Sequence, residues 1–461
     1  MPRVRTVAGS CWACKERRVI CDLKQPECDK CVKTSRVCDY GRVRLRWTHC
    51  VASRGHLAGK KTPRIALPLS LSQSPVLQKD SDHHILYFEK ELLPRFNISN
   101  TVPSLDLNVL AQDPILFQSV IAVANAHHTY SNREPDERSS LSRIQDRNNA
   151  LRVFRQHLMT TDSDAGSSSL FIANVLLCIL DGIVEPSTES SATHHHLVGG
   201  KAILKHWGGM SSIFARKLDL QILMLSIFVT MDLTHSLLIG DNSLSEPSTW
   251  AEFGDSEAWW GNVKPDDDFI KTMSILSQLA KLGNGAYQLN ETVPIGTLLS
   301  IQMALEQPFN QQSIDGDGGD APDKVAWEAY CSVYRFTASV YLYRALGGLD
   351  VDHPLVQKAV SDCMDIIGGT HLTHKLHHCI LFPALVIGAH SMVREQREHI
   401  RKSIVQTAAY LSFESLHTFQ SFLEKRWVAL DMKSEAGERP LCYKLTWWEY
   451  FDEIAAASCL F

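Results

Sequence analysis

Residues 11–38 read CWACKERRVICDLKQPECDKCVKTSRVC and hold six of the 13 cysteines in the chain. Their spacing, C-x2-C-x6-C-x6-C-x2-C-x6-C, is one pattern repeated twice. Each C-x2-C pair lets two sulfurs reach one metal ion from a tight turn, and four thiolates complete a tetrahedral zinc site. Six thiolates complete two such sites only if two of them bridge both ions. The repeat therefore predicts a small domain organised by two Zn²⁺ ions. The predicted ligands are Cys11, Cys14, Cys21, Cys28, Cys31 and Cys38.

Three other interpretations of these cysteines compete with this one. A knot of three disulfides would need an oxidising compartment, whereas the chain begins MPRVRTVAGSC, without the apolar segment of a secretory signal. A single zinc ion on Cys11, Cys14, Cys28 and Cys31 would leave two cysteines unused. A thioredoxin-like redox pair would need a βαβ context, which is missing here. The two-ion interpretation accounts for all six cysteines and needs no oxidising compartment.

Charge is distributed unevenly along the 461 residues. Residues 1–64 hold 16 Lys and Arg against 5 Asp and Glu, a net charge of +11, and the rest of the chain holds 30 against 46, a net charge of −16. A compact basic head suggests a polyanionic partner. The apolar content of 44% excludes a wholly disordered or fibrous chain. The apolar stretches at 170–184 and 220–233 are interrupted by polar residues, so we expect no membrane partner.

The cysteine segment resembles the fungal binuclear zinc cluster DNA-binding domain of the C6 type. The resemblance includes the basic run KERR at 15–18, Pro26 in the middle loop and Tyr40 after the last cysteine. It implies that Cys11 and Cys28 bridge the two ions. It also implies the complete ligand sets, which are Cys11, Cys14, Cys21 and Cys28 for one ion and Cys11, Cys28, Cys31 and Cys38 for the other.

The same resemblance implies how the head meets double-stranded DNA. A short helix after Cys14 enters the major groove, where Arg17 and Arg18 reach base edges of CGG-like sites, since arginine pairs bidentately with guanine. Lys15 is expected to contact phosphate. Relatives commonly carry a basic residue before the third cysteine, whereas this chain has Ile20. One phosphate contact is therefore expected to be missing.

Three segments follow from these patterns: the zinc cluster domain at 8–41, a basic linker containing proline and serine at 42–80, and a large domain at 81–461. Many members of the family that the cysteine segment resembles carry a dimerising coiled coil in the linker. No heptads are visible here, and Pro63, Pro68 and Pro75 oppose a helix. The sequence leaves homodimerisation open.

The large domain has a helical apolar period nearly throughout, and little period-two alternation, which predicts an all-α regulatory domain. It resembles, more diffusely, the regulatory domain of fungal transcription factors, through PIL at 114–116, AVANAHH at 122–128 and HHHLVGGK at 194–201. The predicted helices span 84–93, 114–130, 136–159, 168–184, 193–207, 218–238, 268–282, 323–346, 354–367, 383–394 and 401–423.

The large domain contains few sequence motifs of catalytic or ligand-binding sites. It lacks phosphate-binding and nucleophile-elbow motifs. The acidic glycine-rich stretch at 315–320 fails the calcium-loop pattern and predicts a surface loop. His374 and His378 have metal-compatible i, i+4 spacing, but we favour hydrogen bonding between helices. The segment WWEYFDEI at 447–454 has the composition of an activation segment, yet its helical apolar spacing favours a core helix.

These observations predict a nuclear, zinc-dependent, sequence-specific DNA-binding regulator of RNA polymerase II transcription, with no catalytic residues. Its further partners would be the transcription machinery or a small-molecule effector, neither of which the sequence identifies. The alternative is a helical enzyme or ligand-binding protein whose zinc module only tethers it to nucleic acid.

Overall fold

The chain, described here from a computed structural model, divides into two compact units, Met1–Ser72 and Gln73–Phe461, called the head and the body. The structure describes residues 10–17, 19–34, 36–38, 40, 83–99, 112–132, 137–159, 164–186, 192–216, 218–254, 256–309, 324–369, 372–432, 443 and 445–459. The predicted linker at 42–80 and the predicted loop at 315–320 lie outside these residues.

The head contains two short helices, α1 (Trp12–Arg17) and α2 (Asp29–Val32). Cys11 immediately precedes α1, and Cys28 is the N-cap residue of α2, so each helix begins at the first cysteine of a C-x2-C pair. In the described part of the head, the buried apolar cluster consists of cysteines alone. So small a cluster cannot stabilise the fold by apolar burial, which is the expectation for a metal-organised domain.

The body is all-α, and its described residues contain no strand, only an isolated bridge between Ala258 and Gly261. Its helices are α3 (Pro114–Ser131), α4 (Glu137–Leu158), α5 (Asp164–Ile179), α6 (Ala192–His206), α7 (Ser211–Arg216), α8 (Asp219–Ile239), α9 (Thr249–Glu252), α10 (Asp268–Gln288), α11 (Ile295–Leu305), α12 (Lys324–Tyr341), α13 (Pro354–Ile367), α14 (His374–His378), α15 (Leu381–His390), α16 (Arg394–Leu411), α17 (Ser415–Asp431) and α18 (Trp447–Ala457). Single π-helical turns extend α5 and α12. In the region of the predicted helix 84–93, a π-helical turn (Phe88–Leu92) is followed by a 3-10 helix (Leu93–Phe96). The predicted fold class is confirmed.

Helix α8 forms the centre of the body. Every residue from 221 to 238 is buried, and the helix packs against α5, α10 and α18. By length and hydropathy alone α8 could cross a membrane, but 94% of its apolar window is buried inside the protein. Burial on all sides explains why its sequence shows no polar face.

Several of the predicted helix boundaries are wrong. Helix α10 continues to Gln288, beyond the predicted end at 282, and α16 begins at Arg394, before the predicted start at 401. The predicted helix 401–423 is two helices, because Ser412 adopts a left-handed conformation with φ 53° and ends α16. The predicted helix 383–394 ends at His390, where α15 stops before α16 begins. Helix α11 was not predicted, since its apolar residues do not alternate with polar ones at a clear helical period.

The aromatic and acidic segment near the C-terminus is a core helix, as favoured from its spacing. Thr446 and Glu449 form a capping box that starts α18. Trp447, Phe451 and Ile454 are buried, and Trp447 Nε1 donates a hydrogen bond to the carbonyl of Leu237 in α8 at 2.8 Å.

We predict that Phe451→Ala destabilises the body by about 3–5 kcal/mol, because it empties a fully buried aromatic site. Urea unfolding measures this change. The exposed neighbour Asp452 provides the control, and Asp452→Ala should alter the free energy of unfolding by no more than about 0.5 kcal/mol. An equal, small effect of both substitutions would contradict the assignment of α18 to the core.

Two buried histidines are held neutral in the body. Burial lowers the pKa of His390 to about 3, assisted by the charge of Arg344, and burial lowers the pKa of His235 to about 4. His390 Nδ1 bonds the carbonyl of Val386 at 2.7 Å, while its Nε2 accepts from Arg344 Nε at 3.2 Å. The neutral ring satisfies both contacts, and a second ring proton would face the guanidinium.

Since these pKa values lie below the unfolded value of about 6.5, the unfolded chain takes up protons first as the pH falls. Their contribution to stability is therefore complete above pH 6.5 or so and is lost toward acid. When the pH falls from 7 to 5.5, we expect each of the two histidines to lower the free energy of unfolding by about 1 kcal/mol. In urea unfolding, His390→Gln should lose less free energy of unfolding between pH 7 and pH 5.5 than the wild type, by the amount that His390 contributes. The exposed control His195→Gln should lose as much as the wild type. Identical losses in all three proteins would refute this.

Candidate metal centre and nucleic-acid interface

The six cysteines of the repeat meet in the head, although they are spread over the 28 residues from Cys11 to Cys38. Five are buried and Cys38 is half-buried. Their sulfurs form two groups of four, within each of which all sulfurs lie within 4.8 Å of one another. The groups are Cys11, Cys14, Cys21 and Cys28, and Cys11, Cys28, Cys31 and Cys38.

The distances between sulfurs fit tetrahedral metal coordination. Cys11 Sγ lies 3.7 Å from Cys28 Sγ and 3.5 Å from Cys31 Sγ, and Cys14 Sγ lies 3.6 Å from Cys28 Sγ. Four sulfurs around a zinc ion at about 2.3 Å are separated by about 3.8 Å. A disulfide needs about 2.05 Å, and all six cysteines are free thiols. The geometry thus favours the two-ion interpretation over the knot of disulfides.

The single-zinc interpretation does not fit this arrangement. It leaves out Cys21 and Cys38, yet the structure brings each of them into one of the two groups. Cys11 and Cys28 belong to both groups, which is the sharing that six thiolates need to complete two tetrahedral sites. Burial raises the pKa of the Cys28 thiol to about 12, which means that burial disfavours its thiolate form. A bound cation stabilises such a thiolate, as metal coordination does.

Hydrogen bonds orient two of the sulfurs at the edge of the centre. The backbone N–H of Cys28 donates to Cys38 Sγ at 3.3 Å. Tyr40 Oη lies 3.4 Å from Cys21 Sγ and donates to the carbonyl of Lys24 at 3.0 Å. The contact with Cys21 raises the pKa of Tyr40. The aromatic residue after the last cysteine therefore closes the loop that carries Cys21.

Arg17 links the two halves of the head. Its Nη2 donates to Cys14 Sγ at 3.8 Å and to the carbonyl of Lys30 in α2 at 3.2 Å. Its Nη1 donates to Thr34 Oγ1 at 3.0 Å, and its Nε reaches the carbonyl of Ala13 at 3.4 Å. We call these four contacts the Arg17 brace. Sequence reasoning assigned Arg17 to DNA and missed Thr34, whose position in the repeat carries no distinguishing signal.

The remaining predicted DNA contacts are not described at the level of side chains. Arg18 and the side chain of Lys15 lie outside the described residues. Ile20, which stands where relatives commonly carry a basic residue, is 58% exposed and so leaves an apolar side chain on the surface of the head.

The histidines singled out in the body make hydrogen bonds, as favoured. His378 Nε2 lies 3.2 Å from His374 Nε2, and His378 Nδ1 lies 3.0 Å from Thr407 Oγ1. Within the part of the chain that the structure describes, only the two cysteine groups gather three or more residues that could hold a metal ion.

Two family models match this chain. The fungal Zn(2)-Cys(6) binuclear cluster domain matches residues 9–47, and the fungal specific transcription factor domain matches residues 83–461. The second match covers most of the chain, so the protein belongs to the fungal Zn(2)-Cys(6) transcription factors. Its head belongs to a domain family that binds two zinc ions, and the six cysteines are grouped to hold them.

Individual relatives agree with the family. The chain is 42% identical over 48 residues to Arginine metabolism regulation protein II of Saccharomyces cerevisiae, covering 10% of this chain and 5% of the relative. It is 27% identical over 158 residues to Transcription factor dibT of Pestalotiopsis microspora, covering 33% of this chain and 25% of the relative. The matches span a quarter or less of these relatives. No solved structure matches the chain significantly.

The sharing of Cys11 between the two sulfur groups predicts an unequal effect of cysteine substitutions. Cys11→Ser should lose both zinc ions, since it removes a ligand from each site, whereas Cys21→Ser should keep one. Native mass spectrometry counts the ions in each variant. Cys50→Ser, outside the repeat, should retain two. A Cys11→Ser protein that retains both ions would contradict the sharing.

Proposed function

We propose that the protein is a DNA-binding transcription regulator, that it acts in the nucleus and that it binds CGG-like sites in double-stranded DNA of RNA polymerase II genes. The observation that carries the proposal is the pair of sulfur groups sharing Cys11 and Cys28, directly joined to the basic run at 15–18. Membership of the family implies the nucleus as its location. The net charge of +11 on residues 1–64 favours contact with phosphates.

The zinc ligands in this proposal are the six cysteines of the repeat, with Cys11 and Cys28 bridging. One ion is held also by Cys14 and Cys21, and the other also by Cys31 and Cys38. The ions supply the folding free energy that the head lacks, on the order of 10 kcal/mol or more. They perform no chemistry on DNA; their role is to fix α1 relative to α2.

Base recognition is assigned to Arg18 and phosphate contact to Lys15. A guanidinium that pairs with guanine O6 and N7 contributes roughly 1–3 kcal/mol of discrimination, whereas an ammonium on phosphate contributes affinity without sequence preference.

Arg17 has a different role in this proposal. Its guanidinium holds α1 to the carbonyl of Lys30 and to Thr34, and it stabilises the sulfur of Cys14 with a charged donor. The predicted contact of Arg17 with a base stays a prediction, and it requires the side chain to leave all four partners of the brace. We propose that Arg17 positions the helix and that Arg18 reads the sequence.

Three alanine variants of the full chain separate these roles. Arg18→Ala should reduce discrimination between a CGG site and its single-base variants by about 5- to 150-fold, which corresponds to roughly 1–3 kcal/mol. Lys15→Ala should weaken binding to all duplexes alike and lower the salt slope by about 1. Arg17→Ala should weaken binding to all duplexes and also speed the release of zinc to a chromophoric chelator.

The matched control is Arg36→Ala, which removes one exposed positive charge from the head outside the brace and the basic run. It should leave both sequence preference and zinc release unchanged. Fluorescence anisotropy with a panel of duplexes measures the preference. If Arg17→Ala altered base preference while zinc release stayed normal, Arg17 would be a base reader and the positioning role would be wrong. If Arg18→Ala left preference unchanged, the assignment of Arg18 would fail.

For the body we propose a role in response to a partner, either the transcription machinery or an effector. Support comes from its separate core and from its membership of the regulatory domain family.

A further inference from the structure

A groove on the surface of the body lies between α10 and α11. Its volume is about 880 Å³, within the range of roughly 300–1,000 Å³ that small-molecule sites occupy. Its walls are Ile270, Ile275 and Pro265 on one side and Leu299 and Met303 of α11 on the other. The groove is remote in sequence from the cysteine repeat and belongs to no site described above.

Helix α11 presents an unusual surface to this groove. Its sequence, IGTLLSIQMAL, contains no charged residue, and only Ile301 and Leu305 are buried. Leu299 is 53% exposed and Met303 is 65% exposed, one helical turn apart. Large apolar side chains that are exposed in a continuous row, with no charge among them, mark a surface that binds another apolar group.

Three charged residues line the groove, which are Asp268, Lys271 and Arg335. Arg335 Nη2 lies 3.1 Å from Asp268 Oδ1, and Lys271 Nζ lies 3.5 Å from the same oxygen. Lys271 also interacts with the buried carboxylate of Asp267, so its ammonium is shared between two carboxylates. The side chain of Lys271 is 42% exposed, so it can turn from Asp268 toward a bound anion.

Arg335 fixes the floor at this end of the groove. Its Nη1 donates to the carbonyl of Gln307 at 2.7 Å, and its guanidinium lies 3.9 Å from the ring centroid of Phe309. These contacts and the ion pair with Asp268 hold it in place. The movable cation is Lys271, while Arg335 contributes a fixed positive field.

We propose that this groove binds a small amphipathic anion. The apolar part of the molecule packs against Leu299 and Met303, and its acidic group pairs with Lys271. The half-exposed ammonium of Lys271 and the uncharged apolar wall together select an acid over a neutral molecule of the same shape. The proposal concerns the body alone and does not depend on the DNA contacts proposed for the head.

Two dyes with the same ring system test the proposal on the full chain. They are 1-anilinonaphthalene-8-sulfonate, which is an anion, and N-phenyl-1-naphthylamine, which lacks the sulfonate. In fluorescence titrations the anion should bind the wild type at least tenfold more tightly than the neutral dye. Lys271→Met should abolish this preference while keeping the neutral dye bound, because methionine retains the apolar stem. Leu299→Arg should lower the affinity for the neutral dye by tenfold or more, since it places a charged side chain in the apolar wall of the groove.

The matched control is Lys281→Met on the same helix, α10. Lys281 pairs with Glu246 on the surface and does not line the groove. The Lys281→Met protein should bind both dyes like the wild type, and circular dichroism should show that all variants remain folded. Equal affinity of the wild type for the two dyes would overturn the proposal, as would an equal loss of preference in Lys281→Met. A third result would also overturn it. If light scattering shows that the wild type is a dimer, and Leu299→Arg makes it a monomer without changing dye binding, then the groove binds a second copy of the chain.

Discussion

The head depends on one constraint, which is that six sulfurs must satisfy two four-coordinate ions. Only sharing solves it, and the structure places Cys11 and Cys28 in both sulfur groups. In the described head nothing else is buried as an apolar cluster, so the positions of α1 and α2 follow from the sulfurs that begin them. Sequence-specific contact with DNA in turn needs α1 held at a defined angle, and the Arg17 brace adds hydrogen bonds to what the metal centre imposes.

The body follows a different principle. Its stability comes from apolar burial around α8, whose residues from 221 to 238 are all enclosed. Helix ends there are set by local chemistry, such as the capping box of α18 and the left-handed Ser412. Polar groups inside this core are accommodated by specific partners, as His390 is by Val386 and Arg344. A folded unit of this kind needs no metal, and it can present a surface such as the groove beside α11.

Sequence reasoning succeeded where one chemical rule determines the outcome. Cysteine spacing and coordination number predicted that six thiolates share two ions, and the family resemblance supplied the two ligand sets that the structure groups together. It failed where tertiary contacts decide. The left-handed turn at Ser412 occurs at a residue type with no strong preference for that conformation, so two helices were predicted as one. Helix α11 was missed since its exposed face is apolar. The contacts of Arg17 with Lys30 and Thr34 were also missed, because the sequence does not show that these residues lie within its reach.

The position of α18 has a consequence for biosynthesis. The indole of Trp447 bonds the carbonyl of Leu237, across 210 positions of sequence, and α18 packs directly on α8. During translation, the central helix must wait until the ribosome has made about 210 further residues before this neighbour arrives. A nascent body therefore exposes part of its central apolar helix until α18 has been made, which makes it a natural client for chaperones at the ribosome. A nonsense mutation shortly before residue 447 would leave that surface permanently uncovered.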